Sequence, residues 1–204
     1  MLSGMLLLMA LALDSADPLE QALARFEQLQ GYRLELRSEG PGGNQQLRYA
    51  YRKPGLVRLD VISPHAGAVL IYSPYSERVR LWPFGLKGPS LSLSPDNRLV
   101  KSPRGHRLDR SDVGVLLHSA RRLAQLGELR LLGESRLGER LVLQLLARGP
   151  AGPGQVARYE IWLDKALLFP VRVISHDARG NLLETVWLER IELDPPFADD
   201  VFFP

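Results

Sequence analysis

The pattern of apolar and polar positions predicts a first helix near the start of the chain. Asp17 and Pro18 are suited to the N-cap and first helical position, and Gly31 ends the pattern. The apolar residues between them recur at helical spacing on one face: Leu19, Ala22, Leu23, Phe26 and Leu29. The sequence therefore predicts an amphipathic helix with one buried face.

After Gly31 the apolar residues alternate with polar ones, which indicates β-strands. Tyr32, Leu34 and Leu36 alternate with charged side chains in the first of these segments. Similar segments predict strands at 47–51, 57–61, 68–72 and 77–82. Because short turns such as Pro54–Gly55 connect them, neighbouring strands are expected to be antiparallel.

The segment 83–109 has no regular pattern. Glycine and proline crowd its beginning, and it has room for short strands at 90–93 and 98–101. Helical spacing then returns, with Asp109 or Ser111 as the expected cap and Gly127 at the end. The apolar face of this second helix contains Val113, Leu116, Leu117, Ala120, Leu123 and Ala124.

The remainder of the chain is again strand-like. Strands are predicted at 128–134, 140–147, 155–164, 170–176 and 182–193. A sheet of about ten antiparallel strands curls or closes. The predicted fold class is α+β: a curved antiparallel sheet that forms an incomplete β-barrel covered by two or more amphipathic helices.

Composition favours one domain and excludes several kinds of protein. The chain has 204 residues, 45% of them hydrophobic, which suits a single core. It has no cysteine, which excludes disulfides, thiolate metal sites and a cysteine-linked lipid anchor. The net charge is only +3, and the arginines are dispersed, so we expect no nucleic-acid partner.

Residues 1–16 differ from the rest of the chain. They hold an apolar run from Met5 to Leu13 and a small-x-small step at 10–12, without a preceding Lys or Arg. The run is too short to span a bilayer. Two alternatives remain, a signal peptide that directs export to the periplasm or an apolar N-terminal arm. A single domain is expected at 17–204.

No residue pattern points to catalysis. His106, Asp109 and Asp112 are spaced so that they could gather around a cation, but helix capping explains such acids more simply. His176 and Asp177 suit a hairpin turn. Motifs for a nucleophile, a zinc site or a phosphate loop do not occur in the sequence. We therefore expect no enzyme, no metal and no cofactor.

Strand alternation predicts the side of the sheet that faces a ligand. It places ten residues on one side, expected to be the concave one: Leu34, Leu36, Tyr49, Tyr51, Val57, Leu59, Val61, Tyr159, Ile161 and Leu163. The intervening Arg33, Arg48, Arg58 and Glu160 should face solvent. We expect the first helix and a lid formed by Val113, Leu116, Leu117 and Ala120 to leave an apolar pocket over this side.

Two segments resemble the LolA family of periplasmic lipoprotein carriers. Residues 47–82 are similar to the family's paired strands around proline turns. Residues 161–202 resemble its W-x-D, proline strand, D-x-x-G-N turn and closing strand. The resemblance implies a half-open barrel that carries lipid or lipoprotein acyl chains, as a transport chaperone in outer-membrane biogenesis. Peripheral contact with a membrane is compatible with that role.

A second hypothesis is an envelope regulatory or scaffold protein that uses the same fold to bind a protein partner. The wider superfamily that the chain resembles includes sigma-factor regulatory sensors. The irregular segment 83–110 would then be a docking loop. Its cations are Lys87, Arg98, Lys101, Arg104, Arg107 and Arg110.

Overall fold

The computed structural model describes residues 17–204. The signal peptide or apolar arm predicted for residues 1–16 lies outside the described residues. Within 17–204, none of the helices has the length and apolar composition needed to cross a bilayer.

The described strands form one antiparallel sheet. The strands are β1 Gly31–Glu39, β2 Gln45–Arg52, β3 Leu56–Ser63, β4 Val69–Ser73, β5 Arg78–Trp82, β6 Leu91–Leu93, β7 Glu128–Leu137, β8 Arg140–Arg148, β9 Arg158–Asp164, β10 Phe169–His176 and β11 Leu182–Leu193. Their order is β6-β5-β4-β3-β2-β1-β11-β10-β9-β8-β7, so the first and last strands of the chain pair at the centre. The sheet is curved, and its edges β6 and β7 do not pair with each other. The predicted incomplete barrel is confirmed.

Two helices lie on one side of this sheet. Helix α1 is Pro18–Gln28, and the carboxylate of its N-cap Asp17 accepts a hydrogen bond from the Leu19 amide at 2.9 Å. Helix α2 is Val113–Gln125, and its N-cap is Asp112. The predicted caps Asp109 and Ser111 are wrong, because a 3₁₀ turn at Leu108–Arg110 intervenes before the helix.

The irregular middle of the chain matches the prediction in one of two places. The strand expected at 90–93 is β6, whereas the strand expected at 98–101 is wrong. Arg98–Val100 is a 3₁₀ helix, and the Asn97 side chain caps it by accepting from the Leu99 amide at 3.0 Å. This local cap gives the backbone hydrogen bonds that a strand would need from a neighbour.

Close contact between the helices depends on a glycine. Gly114 lies in the first turn of α2, where a Cβ atom would collide with the Phe26 ring of α1. Phe26 in turn contacts the aromatic residues of β1 and β2. The bare backbone at Gly114 therefore lets α1 and α2 pack together over the sheet.

We predict that Gly114→Ala destabilises the protein, although alanine is the better helix former. Overpacking a core costs about 1–3 kcal/mol, and the gain in helix propensity is about 1 kcal/mol. Urea unfolding should show a lower free energy of unfolding for this variant. Val115→Ala, at an exposed position of the same helix, serves as the control and should change stability little. A Gly114→Ala protein more stable than wild type would contradict the close packing.

Candidate ligand-binding face of the sheet

The predicted ligand-facing residues all lie on the side of the sheet that the helices cover, here called the inner face. Six of the ten are buried: Leu34, Tyr49, Tyr51, Val57, Ile161 and Leu163. The other four are partly buried against the same cluster: Leu36, Leu59, Val61 and Tyr159. The lid residues Val113, Leu116, Leu117 and Ala120 pack in this cluster too. Their binding of a ligand stays a prediction.

A group of stacked aromatic rings occupies the middle of the inner face. The Tyr32 ring lies 5.2 Å from that of Tyr51 and 5.8 Å from that of Tyr49, centroid to centroid. Phe169 of β10 meets Tyr32 edge-on at 5.1 Å. Burial raises the pKa of Tyr32 and Tyr49, and it raises that of Tyr51 to about 12. These phenols are therefore neutral and form a largely apolar surface.

Two of these tyrosines also position helix α2. The Tyr32 hydroxyl accepts a hydrogen bond from the Val113 amide at 3.0 Å, and the Tyr49 hydroxyl lies 3.1 Å from Ser111 Oγ. The Val113 amide is one of the helix N-terminal donors that lack a partner within the helix. Tyr32 was not predicted as a site residue, although its place in the β1 alternation would have found it.

The chain between β6 and α2, residues 94–112, runs over the open side of the sheet and is called the crossing segment. Val100 and Leu108 are its apolar anchors, each 3% exposed within the inner-face cluster. Neither residue was predicted to lie on the inner face, because neither belongs to a periodic run of apolar residues. The irregular segment is therefore part of the cover of the inner face.

A polar cluster ties the crossing segment to the sheet. Glu184 of β11 accepts a hydrogen bond from Ser38 and lies 3.3 Å from Arg104 Nε and 3.4 Å from His106 Nε2. The Arg104 and Glu184 side chains are only 12% and 14% exposed. Burial acts to raise the pKa of Glu184, but His106, Ser38 and Arg104 together hold it below its ordinary value. Glu184 is therefore an ionised, mostly buried anchor.

Of the six cations proposed for a docking loop, some form ion pairs and others do not. Arg107 pairs with Asp109 at 2.7 Å and with Asp96 at 3.0 Å, and Lys101 lies 3.7 Å from Asp96. With Arg104, three of the six cations are thus engaged inside the segment or with the sheet. The other three show no ion pair within residues 17–204 and are exposed: Lys87, Arg98 and Arg110.

The three residues whose spacing was also compatible with a cation site do not come together. His106 contacts Glu184, Asp109 pairs with Arg107, and Asp112 caps α2. Among the described residues, no three His, Asp or Glu side chains are grouped as metal ligands would be.

The residues predicted to face solvent differ in their exposure. Arg33 and Arg48 are exposed, but the Arg58 side chain is only 16% exposed. Arg58 pairs with Asp60 at 2.8 Å and donates to the Val201 carbonyl at 2.9 Å. The solvent exposure predicted for Arg58 is wrong, because the C-terminal residues fold over the outer face of β3.

Two cavities of the described structure lie away from the residues predicted to line an apolar pocket. A cavity of about 670 Å³ lies at one end of the sheet beside Glu128, Arg148 and Arg158. Another of about 200 Å³ lies between α1, α2 and Leu129 of β7. None of the ten predicted residues lines either cavity. The helices and the crossing segment pack on the inner face and bury six of the ten residues, whereas Leu36, Leu59, Val61 and Tyr159 stay partly exposed.

Comparison with known proteins identifies similar structures but no similar sequences. No family model matches the chain, and no curated protein matches it. An uncharacterised conserved protein from Thermus thermophilus has a similar structure, with a TM-score of 0.59 and 16% identity over 92% of this chain and 94% of that one.

Two further structures have names connected with lipoproteins or with a protein complex. Lipoprotein LppX of Mycobacterium tuberculosis has a TM-score of 0.56 and 12% identity over 89% of this chain and 95% of that one. A MucA/MucB complex from Pseudomonas aeruginosa has a TM-score of 0.54 and 18% identity, and the match covers 90% of this chain and 61% of that one. At such identities the likeness shows the fold alone. It supports the predicted fold, an incomplete barrel of antiparallel strands covered by helices.

Proposed function

We propose that this protein binds lipid or lipoprotein acyl chains in the periplasm and carries them on the inner face of the sheet. One observation carries the proposal. The inner face is a continuous apolar surface with a polar cluster around Glu184 at one end. An acylated ligand has the same two parts, with its chain along the apolar surface and its polar group beside Glu184, Arg104 and His106.

The energetics of an acyl chain fit a binding protein without catalysis. Each methylene removed from water contributes about 0.8 kcal/mol, so a long chain gains on the order of 10 kcal/mol. An apolar surface is sufficient for this purpose, and the proposal includes no enzymatic step. The functional residues are then apolar side chains, and such a site has no catalytic motif that a sequence could reveal.

Because the inner face is covered, uptake requires part of the cover to move. The crossing segment is the best candidate, since only its short 3₁₀ turns are regular and it is held by Val100, Leu108 and the Glu184 cluster. A ligand chain would replace the contacts of these two apolar side chains. Helix α2 follows the segment directly, but the hydrogen bond from the Val113 amide to Tyr32 holds its start in place.

The periplasmic location rests on three points. The N-terminal residues have a pattern compatible with a signal peptide, the chain resembles periplasmic carriers, and it shares its fold with a protein named as a lipoprotein. A carrier in this compartment must cross an aqueous space with its ligand covered.

A second candidate function is an envelope regulatory protein with a protein partner. The structural similarity to MucB, solved in a complex with MucA, favours it. So do Lys87, Arg98 and Arg110, which are exposed and form no ion pair within residues 17–204. Replacing these three cations with Gln should abolish capture of the partner if this function is correct. Unchanged capture would remove the charge-based support for the second candidate.

The direct test is to identify what the protein carries. Native mass spectrometry after gentle purification should show a lipid or fatty acid adduct, and the purified protein should take up a fluorescent acyl probe. A clean apo mass together with no probe uptake would contradict the carrier function.

We predict that fixing the crossing segment to the sheet blocks probe uptake. A Cβ on Gly43 would lie 3.8 Å from Pro103 Cβ, close to the mean of about 3.8 Å in disulfides. The native chain has no cysteine, so Gly43→Cys with Pro103→Cys should form one defined bond. The oxidised protein should lose uptake of the acyl probe, and reduction should restore it.

A matched disulfide elsewhere provides the control for this experiment. A Cβ on Gly55 would also lie 3.8 Å from Pro74 Cβ, and both designs replace a glycine with a positive φ angle. Gly55→Cys with Pro74→Cys joins two turns away from the crossing segment and should leave uptake unchanged. Equal uptake by the oxidised and reduced Gly43–Pro103 pair would show that the segment does not move.

We predict that Glu184→Gln lowers stability at neutral pH, because hydrogen bonds to a charged group contribute about 1.5–3 kcal/mol. Since the pKa of Glu184 is lowered on folding, its contribution is present above the ordinary Glu pKa and is lost as the pH falls through the lowered value. Urea unfolding across pH should show wild type and variant converging in acid. Glu134→Gln, at an exposed pair with Lys165, should have little effect at any pH.

A further inference from the structure

The loop between β5 and β6, residues 83–90, displays apolar side chains and is called the Phe84 loop. Phe84 is 83% exposed and Leu86 is 39% exposed, and Leu91 at the start of β6 is 48% exposed. The preceding Trp82 is buried and anchors the loop. A turn closed by a hydrogen bond from the Gly88 amide to the Gly85 carbonyl at 2.9 Å shapes it. Three exposed apolar side chains thus lie within residues 84–91, and grouped exposure of this kind, unlike a single exposed ring, marks interaction sites.

The Phe84 loop and the Glu184 cluster lie at the same end of the sheet. In the antiparallel order, β1, β3 and β5 end where β11 begins, and Glu39 at the end of β1 lies opposite Thr185 of β11. The loop also lies beside the β3–β4 turn, since a Cβ on Gly85 would be 3.5 Å from the Gly67 carbonyl. Exposed apolar side chains thus lie at the end where the ligand's polar group is proposed to be.

The charge near this loop favours an anionic surface. The sequence has no acidic residue between Asp60 and Glu77 or between Glu77 and Asp96. Glu77 itself is in the turn between β4 and β5, at the opposite end of the sheet. Lys87 on the Phe84 loop is exposed, and no ion pair within residues 17–204 engages it. A lysine in such a place is attracted to anionic lipid headgroups.

We propose that the Phe84 loop inserts Phe84 and Leu86 into a membrane that contains anionic phospholipid, with Lys87 at the headgroup phosphates. Three apolar side chains offer far less than the roughly 800 Å² that each partner buries in a specific protein interface. The boundary between headgroups and acyl chains of a bilayer accepts a small apolar group flanked by a cation. The inference rests on the proposed function for its purpose, transfer of an acyl chain at a membrane, but its geometry is independent of that function.

The test is flotation of the purified protein with lipid vesicles. We expect wild type to float with phosphatidylcholine vesicles that include phosphatidylglycerol, and less with phosphatidylcholine alone. Phe84→Ser should reduce partitioning about tenfold, and Lys87→Gln should remove the preference for phosphatidylglycerol. Tyr75→Ser is the matched control, because Tyr75 is an aromatic residue 71% exposed in the turn at the opposite end of the sheet.

The flotation of the variants decides whether the Phe84 loop binds membranes. The inference is supported if the Phe84→Ser variant loses flotation with the vesicles and the Tyr75→Ser variant keeps it. The inference is overturned if wild type does not float, or if both substitutions change flotation equally. It is also overturned if Phe84→Ser abolishes binding of a protein partner but leaves flotation unchanged. Uptake of the soluble acyl probe should be unchanged in Phe84→Ser. A wild type that floats but takes up no probe would contradict the carrier function and leave the membrane contact standing.

Discussion

The structure depends on the need to keep the inner face of an unclosed sheet away from water. A closed barrel protects its interior with its own strands, but here β6 and β7 are left apart. Two helices and the crossing segment must therefore cover apolar side chains from nearly every strand. The same requirement explains Gly114 at the contact of α1 with α2. Without a Cβ atom at this position the two helices pack closely together over the curved sheet.

Tyr32 connects the cover to the sheet. Its ring stacks with those of Tyr49 and Tyr51 and meets Phe169 edge-on. Its hydroxyl accepts a hydrogen bond from the Val113 amide at the start of α2. β1 lies at the centre of the sheet between β2 and β11, so this position is held from both sides. The start of α2 is thus fixed firmly, whereas the crossing segment before it depends on two apolar anchors and the Glu184 cluster. Any opening is expected to begin in the crossing segment.

Sequence periodicity predicted the elements whose neighbours are close in the chain. The alternation in β1 to β3 and β9 identified the inner face, because a strand with one covered side must repeat with period two. Periodicity carries no information on contacts between distant segments. The pair of Arg104 with Glu184, the burial of Arg58 by the C-terminal residues and the anchors Val100 and Leu108 all depend on such contacts. For the same reason the cover that the crossing segment provides for the inner face was not predicted.

The cover of the inner face has a consequence for the affinity of the proposed carrier. A ligand chain must displace side chains that already contact the sheet. Its net gain is therefore the free energy of burying the acyl chain minus the free energy lost when the displaced side chains become exposed. Val100 and Leu108 would lose about 1.5–3 kcal/mol each on exposure, against a gain on the order of 10 kcal/mol for a long acyl chain. Uptake remains favourable, but by less than an empty pocket would give, and the returning cover helps to expel the ligand. This balance suits a protein that must release its ligand as well as hold it.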